Sequence, residues 1–324
     1  MKALVLIGGF GTRLRPITHT IPKQLIPLAG ASMLYHALDL IPPEVDEAVF
    51  ATGYKSDVIE RYVLDHPARV PIRCVPEATP LGTGGGMRNA GDDLTDPFLL
   101  LNSDVIAQVD LAGLIDAHRR HGGIGTMTLT QVEDTRPYGV AALDEDDRIS
   151  RFVEKPAPEA APSHWINAGV AVWSRSVLER IPRGHPVSFE TEIVPGLLAD
   201  GIFGFRSTGF WEDAGTPKRL LHAQRLLFDG GRGRDVRLPD GALGEGPVST
   251  GHGVRARGAR FGPSVHLGDG VVVEPGAYVE DSVLMDGVVV GEEASVTGSI
   301  LGPGVKVAAR ARVVDAVLSA DAPA

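Results

Sequence analysis

A chain of 324 residues, 43% hydrophobic and 22% charged, is long enough for two domains and apolar enough for a well-buried core. Its one cysteine, Cys74, excludes an internal disulfide framework and suits a reducing cytoplasm, and a net charge of -10 argues against a broad nucleic-acid-binding face. Met1-Lys2 runs straight into an apolar strand, with no leader peptide and no apolar stretch of membrane-spanning length, so a cytoplasmic protein without membrane association is expected.

Short apolar runs at 3–7, 48–52, 72–75, 98–102 and 124–132 predict strands. Helical patterns at 33–41, 58–65 and 111–121 lie between them. This alternation implies a parallel, doubly wound α/β sheet, in which ligands bind beyond the carboxyl ends of the strands. Later strands look more mixed: residues 139–155 predict a hairpin whose acidic tip, 144–147, is a solvated turn. A helix at 217–228 closes this part, and the aperiodic segment after it reads as a linker whose arginines are solvated charge.

From about Val254 the pattern changes. Phe261, Leu267, Val273 and Val279 recur every six residues with Gly or Pro between them. After a slip of one residue the repeat resumes at Val290 and Val296, then at Val307 and Val313. Hexapeptide periodicity predicts a parallel β-helix of roughly three to four coils, which also accounts for much of the 40-glycine total. Such coils also occur in acyltransferases with a histidine base. His252 and His266 lie here without a recognisable partner, and surface or structural roles are expected for both.

The chemistry concentrates in "LIGGFGTRLRPIT", residues 6–18, at the end of the first strand. It matches neither G-x-G-x-x-G nor a GK[ST] loop. Gly8, Gly9 and Gly11 can turn backbone N–H groups toward phosphate oxygens, while Arg13, Arg15 and Lys23 (in "IPKQL") can neutralise their charge. Asp104, in "LLLNSD", ends another strand and is expected to face the same crevice.

These residues continue into a longer set: "PLGTGGGMRNA" at 80–90, "LLLNSDV" at 99–105, "YGVAALD" at 138–144, "FVEKP" at 152–156, "INAGVAVW" at 166–173, "SFETEIVP" at 188–195 and "FWEDAGTP" at 210–217. With the hexapeptide tail they resemble the sugar-1-phosphate nucleotidyltransferases, the NDP-sugar pyrophosphorylases, and most of all the mannose-1-phosphate guanylyltransferases. "PKQL" stands where that family usually has "PKP" and is more like the glucose-1-phosphate thymidylyltransferases; "GTGGG" replaces "GTAG", and the tail is short. The resemblance implies a Rossmann-like, GT-A-like mixed sheet in a catalytic domain, 1–230, then a linker, 231–250, and a short left-handed parallel β-helix, 251–324.

The implied reaction is in-line attack by a sugar-1-phosphate oxygen on the α-phosphorus of a nucleoside triphosphate, releasing pyrophosphate. Such transfers depend on positioning and charge neutralisation. By resemblance, Gly8, Gly9, Gly11, Thr12 and Arg13 hold the triphosphate, Lys23 offsets charge at the α-phosphate, and Asp104 and Asp213 hold Mg²⁺. Gly139, Glu154, Lys155, Asn167 and Gly169 match the sugar-phosphate side. Glu77 falls where the family reads the base, and Gly82 would let the base approach the backbone. A carboxylate offers only acceptors, which favours guanine's adjacent N–H donors over thymine, whereas Gln24 hints at thymine. GTP and mannose-1-phosphate are therefore the expected substrates. The alternatives are a glucose-1-phosphate thymidylyltransferase, an enzyme for a cyclitol phosphate, a non-catalytic nucleotide-sugar sensor and a bifunctional acyltransferase. A homo-oligomer is expected, with the tail serving assembly or stability and carrying no chemistry.

Overall fold

The computed structural model describes residues 1–320, which fall into two compact units. One comprises residues 1–9 and 37–211; the other comprises residues 10–36 and the chain from Glu212 onward.

The first unit holds a nine-stranded sheet: Lys2–Ile7 (β1), Glu47–Thr52 (β2), Ile72–Pro76 (β3), Phe98–Asn102 (β4), Gly125–Gln131 (β5), Gly139–Leu143 (β6), Ile149–Glu154 (β7), Trp165–Trp173 (β8) and Ile202–Arg206 (β9). Its main path runs β7-β6-β8-β4-β1-β2-β3, with β5 pairing β8 and β9. β3, β2, β1 and β4 are mutually parallel. β8 then runs antiparallel to β4, β5 and β6, and β6 to β7, so the sheet is mixed. The parallel part reads as apolar runs because both faces are covered: Ala3, Leu4, Val5, Phe98 and Leu99 are fully buried. Chain order reverses about β1, whose two neighbours are β2 and β4. The carboxyl end of β1 is therefore a topological switch point, where open α/β sheets bind ligands.

Helices Ser56–Asp65 (α1), Gly82–Asn89 (α2) and Leu111–His121 (α3) connect these strands. α3 has the bounds its sequence signals. Asp110 Oδ1 accepts the Gly113 N–H at 2.9 Å at its start, and Gly122, at φ 66°, ends it in the left-handed region. The helix expected at 33–41 covers only Met33–Leu38, because Pro42 and Pro43 follow closely and bias the chain away from helix.

The second unit joins residues 10–36, helix Pro217–Asp229 (α4) and a stack of parallel strands. Two five-stranded sheets and one three-stranded sheet form the walls of a β-helix. Val265 pairs with Ser282 and Val272 with Val289, a step of 17 residues, whereas Arg260 pairs with Tyr278, a step of 18. That mixture is the slip visible in the sequence. Phe261, Val279 and Val296 stack inside, as do Val273, Val290 and Val307.

Residues 231–250 are not simply a linker. Leu243–Gly244 and Val248–Thr250 are the first strands of the β-helix, pairing with Arg260–Phe261 and Val265–Leu267. Strands this short show no periodicity of their own, and their partners lie one coil away. His266 is structural: buried, with Nδ1 2.8 Å from Ser249 Oγ, it is pushed down to a pKa of about 4 by burial and, secondarily, by His36. No helix among the described residues is long and apolar enough to cross a membrane.

Candidate functional site

In the second unit the chain after Phe10 turns sharply. Gly11 is left-handed at φ 59°, and its carbonyl accepts the Leu14 N–H at 2.9 Å and the Thr18 hydroxyl at 2.8 Å. A Cβ on Gly11 would lie 2.8 Å from Thr18 Cγ2 and 3.3 Å from Lys23 Cβ. The glycine is thus required by its left-handed φ and by the close approach of Thr18, with the Lys23 turn packed beside it. Thr12 and Arg13 lie on the 3₁₀ turn Thr12–Leu14. Gln24 is buried in the turn Lys23–Leu25.

Arg13 also meets the "WEDAGTP" segment. A Cβ on Gly215 would lie 2.7 Å from Arg13 Nη2 and 2.9 Å from Asp213 Oδ1, so the guanidinium and the carboxylate flank a residue with no side chain. Asp213 Oδ1 accepts the Gly215 N–H at 3.0 Å, and Oδ2 is 3.4 Å from Arg219 Nη1. Sequence reasoning missed Gly215 and Arg219. Gly215 lay in a matched motif, while Arg219 sits at the start of a helix with no signal of its own.

In the first unit, Gly8 and Gly9 follow β1, and no heavy atom lies within 4 Å of where a Gly8 Cβ would be. Asp104 follows the neighbouring strand β4, one residue after Ser103, whose hydroxyl and N–H both donate to Leu6 O. Gly8 and Asp104 are therefore at the same sheet edge.

Glu77 follows β3. Its Oε2 accepts the Leu81 N–H at 2.9 Å just ahead of α2, and burial pushes the carboxyl above the usual carboxylate range against that hydrogen bond. Its Oε1 packs against α2, where a Cβ on Gly86 would lie 2.6 Å away. Gly82 has a reason of its own to be glycine: at φ 70°, a Cβ there would sit 2.6 Å from Val187 O. Gly84 N–H donates to that same carbonyl at 2.9 Å. The "GTGGG" glycines thus admit the chain at 185–189 against α2.

The sugar-side residues form two groups. Glu154 Oε1 lies 3.2 Å from Lys155 Nζ, and a Cβ on Gly139 would come within 2.7 Å of Glu154 Oε2. Burial raises the Glu154 pKa, opposed by Lys155, and Lys155 itself is held left-handed at φ 47°. The second group is a bulge in β8. The register shifts between Asn167 and Ala171, Gly169 adopts φ 73°, and its N–H donates to Asn167 Oδ1 at 3.0 Å. Asn102, Asn167, Gly169 and Glu190 line one small cavity together with Trp173 and Phe189. Asn102 and Glu190 were not singled out from sequence, although both lie in matched segments. Thr83 Oγ1 donates to Glu190 Oε2 at 2.7 Å, linking this cavity to α2.

Among the described residues no three His, Cys, Asp or Glu side chains cluster as a self-sufficient metal site. Carboxylates such as Asp104 and Asp213 are hard oxygen donors. They belong to different compact units, and either alone would suit a cation that completes its shell with phosphate oxygens and water, as Mg²⁺ does.

A mixed sheet with a glycine-rich turn after its first strand, at a topological switch point, is a nucleotide-binding type of architecture. Residues 2–230 match the Nucleotidyl transferase family and residues 248–323 the GMPPB C-terminal domain, and the chain belongs to the nucleotidyltransferase family. It is 39% identical over 295 residues to a mannose-1-phosphate guanylyltransferase of Mycobacterium tuberculosis, covering 86% of this chain and 81% of that protein. It is 36% identical over 261 residues to the mannose-1-phosphate guanylyltransferase catalytic subunit beta of Dictyostelium discoideum, covering 78% and 69%. HddC from Yersinia pseudotuberculosis, solved alone and complexed with GMP-PN, superposes with a TM-score of 0.60 at 26% identity, covering 69% of this chain and 98% of that one.

Proposed function

We propose that this nucleotidyltransferase joins GTP to mannose-1-phosphate, giving GDP-mannose and pyrophosphate. The observation that carries the reading is the close approach of the Arg13 guanidinium and the Asp213 carboxylate to the bare Cα of Gly215, with Lys23 Cβ packed beside Gly11. The names of the relatives, and the HddC complex with GMP-PN, support guanine and mannose as the partners.

In this reading a phosphate oxygen of the sugar-1-phosphate attacks the α-phosphorus in line. The new P–O bond forms as the bond to the β-phosphate oxygen breaks, and pyrophosphate leaves with the electron pair. Backbone N–H groups of Gly8, Gly9, Gly11 and Thr12 cradle the triphosphate. Arg13 stabilises the charge growing on the pyrophosphate, and Lys23 offsets that at the α-phosphate. Nucleotidyltransferases of this kind generally use a divalent metal. Mg²⁺, held by Asp104 and Asp213, would supply charge neutralisation between the phosphates. Glu77 presents its remaining acceptor positions to the base edge beside Gly82. Glu154, Asn167 and the backbone at Gly139 and Gly169 accept from and donate to sugar hydroxyls, and Lys155 faces the sugar phosphate.

The reading includes a cytoplasmic setting and a homo-oligomer formed through the tail, whose last coil leaves Val314 and Leu318 exposed. Its direct test is mass spectrometry of the products from GTP and mannose-1-phosphate with Mg²⁺. GDP-mannose and pyrophosphate in equal amounts are expected. Free GDP, or product only with dTTP and glucose-1-phosphate, would assign a different reaction.

A further inference from the structure

The segment 10–36, which carries Arg13 and Lys23, packs in one compact unit with α4 and the β-helix. Between Pro27–Leu28 and Ala31–Ser32 it forms a tight hairpin whose turn residues are Ala29 at φ 44° and Gly30 at φ 96°. An alanine in the left-handed region is strained, and such a conformation persists only where its surroundings hold it.

Here they do. The Ala29 N–H donates to Gln224 Oε1 at 3.3 Å, and the Ala29 carbonyl accepts the Arg234 N–H at 2.8 Å. Gln224, fully buried on α4, uses its Nε2 to donate to the carbonyls of Ser264 at 2.8 Å and Ser282 at 3.3 Å, on successive coils of the β-helix. One amide thus spans from the hairpin turn to two coils. Arg232 adds a second grip, donating from Nη2 to His36 O at 2.8 Å. Farther along, a Cβ on Gly302 would lie 3.4 Å from Ile17 Cγ1, so a later coil touches the turn after Arg15. The Lys23 turn lies a few residues before the gripped hairpin, and the Ile26 N–H closes on the Lys23 carbonyl at 3.1 Å.

We infer that Gln224 is a positioning residue for nucleotidyl transfer, fixing the Ala29–Gly30 turn on the β-helix and through it the Lys23 turn, with Arg232 holding the far end of the same segment. The inference rests on the triphosphate role proposed for Lys23 and Arg13. It makes the tail part of the scaffold of the triphosphate site, where the sequence suggested assembly or stability alone. It also places the effect on one substrate, because the sugar-side residues Glu154, Lys155, Asn167 and Gly169 belong to the other compact unit.

The test is amide hydrogen exchange together with steady-state kinetics on full-length Gln224→Leu and Arg232→Ala. Gln224→Leu should accelerate exchange across residues 22–33 tenfold or more while amides of β1 and β4 keep their protection. It should raise KM for the nucleoside triphosphate by about tenfold and leave KM for the sugar-1-phosphate within about twofold. Arg232→Ala, a half-buried residue outside the β-helix core, should show the same pattern at smaller size, and it decides the matter if Gln224→Leu does not fold. Unchanged exchange at 22–33, or equal changes in both KM values, would overturn the inference. A wild-type enzyme that releases no pyrophosphate would instead overturn the proposed function, with the exchange result still deciding whether Gln224 fixes the segment.

Discussion

The carboxylate of Asp213 and the guanidinium of Arg13 are separated by the bare Cα of Gly215, which has no room for a Cβ beside either group. A methyl there must displace at least one of them. Gly215→Ala should therefore lower kcat/KM by roughly 10- to 100-fold, as small displacements of catalytic groups do, with the melting temperature within a few degrees of wild type. Kinetics and thermal unfolding of the one variant check this, and a fully active Gly215→Ala would remove Arg13 and Asp213 from the chemistry.

Metal dependence follows from the same carboxylate and from Asp104. Asp104→Asn and Asp213→Asn should each cut turnover by orders of magnitude while the fold is kept, because an amide is a weaker, neutral ligand. Excess EDTA should abolish pyrophosphate release and Mg²⁺ should restore it. Full activity in EDTA would contradict the assignment.

Glu77 gives the base prediction a geometric form. Its Oε2 is occupied by the Leu81 N–H, so a glutamine would keep its amide oxygen there and put its NH₂ at the Oε1 position beside α2, the acceptor that the proposed reading gives to the base. Donors would then meet guanine's donors but suit thymine's carbonyls. Glu77→Gln should reduce the GTP-over-dTTP ratio of kcat/KM by about tenfold or more, corresponding to roughly 1.4 kcal/mol. An unchanged ratio would mean that Glu77 only braces the start of α2.

Glu154 offers a stability test. Burial raises its pKa in the folded protein, so folding favours the protonated form. Its contribution is most favourable below the ordinary carboxyl range and is lost as pH rises through the raised folded value. Glu154→Gln removes that loss. Melting curves should show the variant gaining on wild type at about pH 7.5 relative to about pH 4, while activity falls because the sugar contact is lost. A gain confined to acid pH would reverse the sign and refute the account of Glu154.

Much of the first unit was legible because its signals are local. Runs such as Phe98–Asn102 are apolar along their length, and α3 carries both its cap and its terminating glycine. The β-helix was legible from its stacked valines, but its first strands were not, since Leu243–Gly244 and Val248–Thr250 are defined only by partners a coil away. The candidate site residues were picked out one by one through motifs. What sequence could not give was contact: that Val187 O fills the space over Gly82, that Gln224 reaches two coils, or that Thr83 ties α2 to Glu190. Each joins residues far apart in the chain through one side chain or carbonyl, and no periodicity encodes that.

Gly82→Ala separates packing from base recognition. At φ 70° and against Val187 O, the added methyl should destabilise the fold by about 1–3 kcal/mol, lowering the melting temperature even without nucleotide. A variant with wild-type melting but weakened GTP binding would show that the glycine serves the base instead.

The most direct measurement is pyrophosphate release across a grid of GTP, dTTP, ATP, UTP and CTP against mannose-1-phosphate, glucose-1-phosphate and a cyclitol phosphate, with Mg²⁺ present. GTP with mannose-1-phosphate should give the highest kcat/KM, at least about tenfold above dTTP with any acceptor. A maximum at dTTP with glucose-1-phosphate, or no release from any pair, would contradict the account.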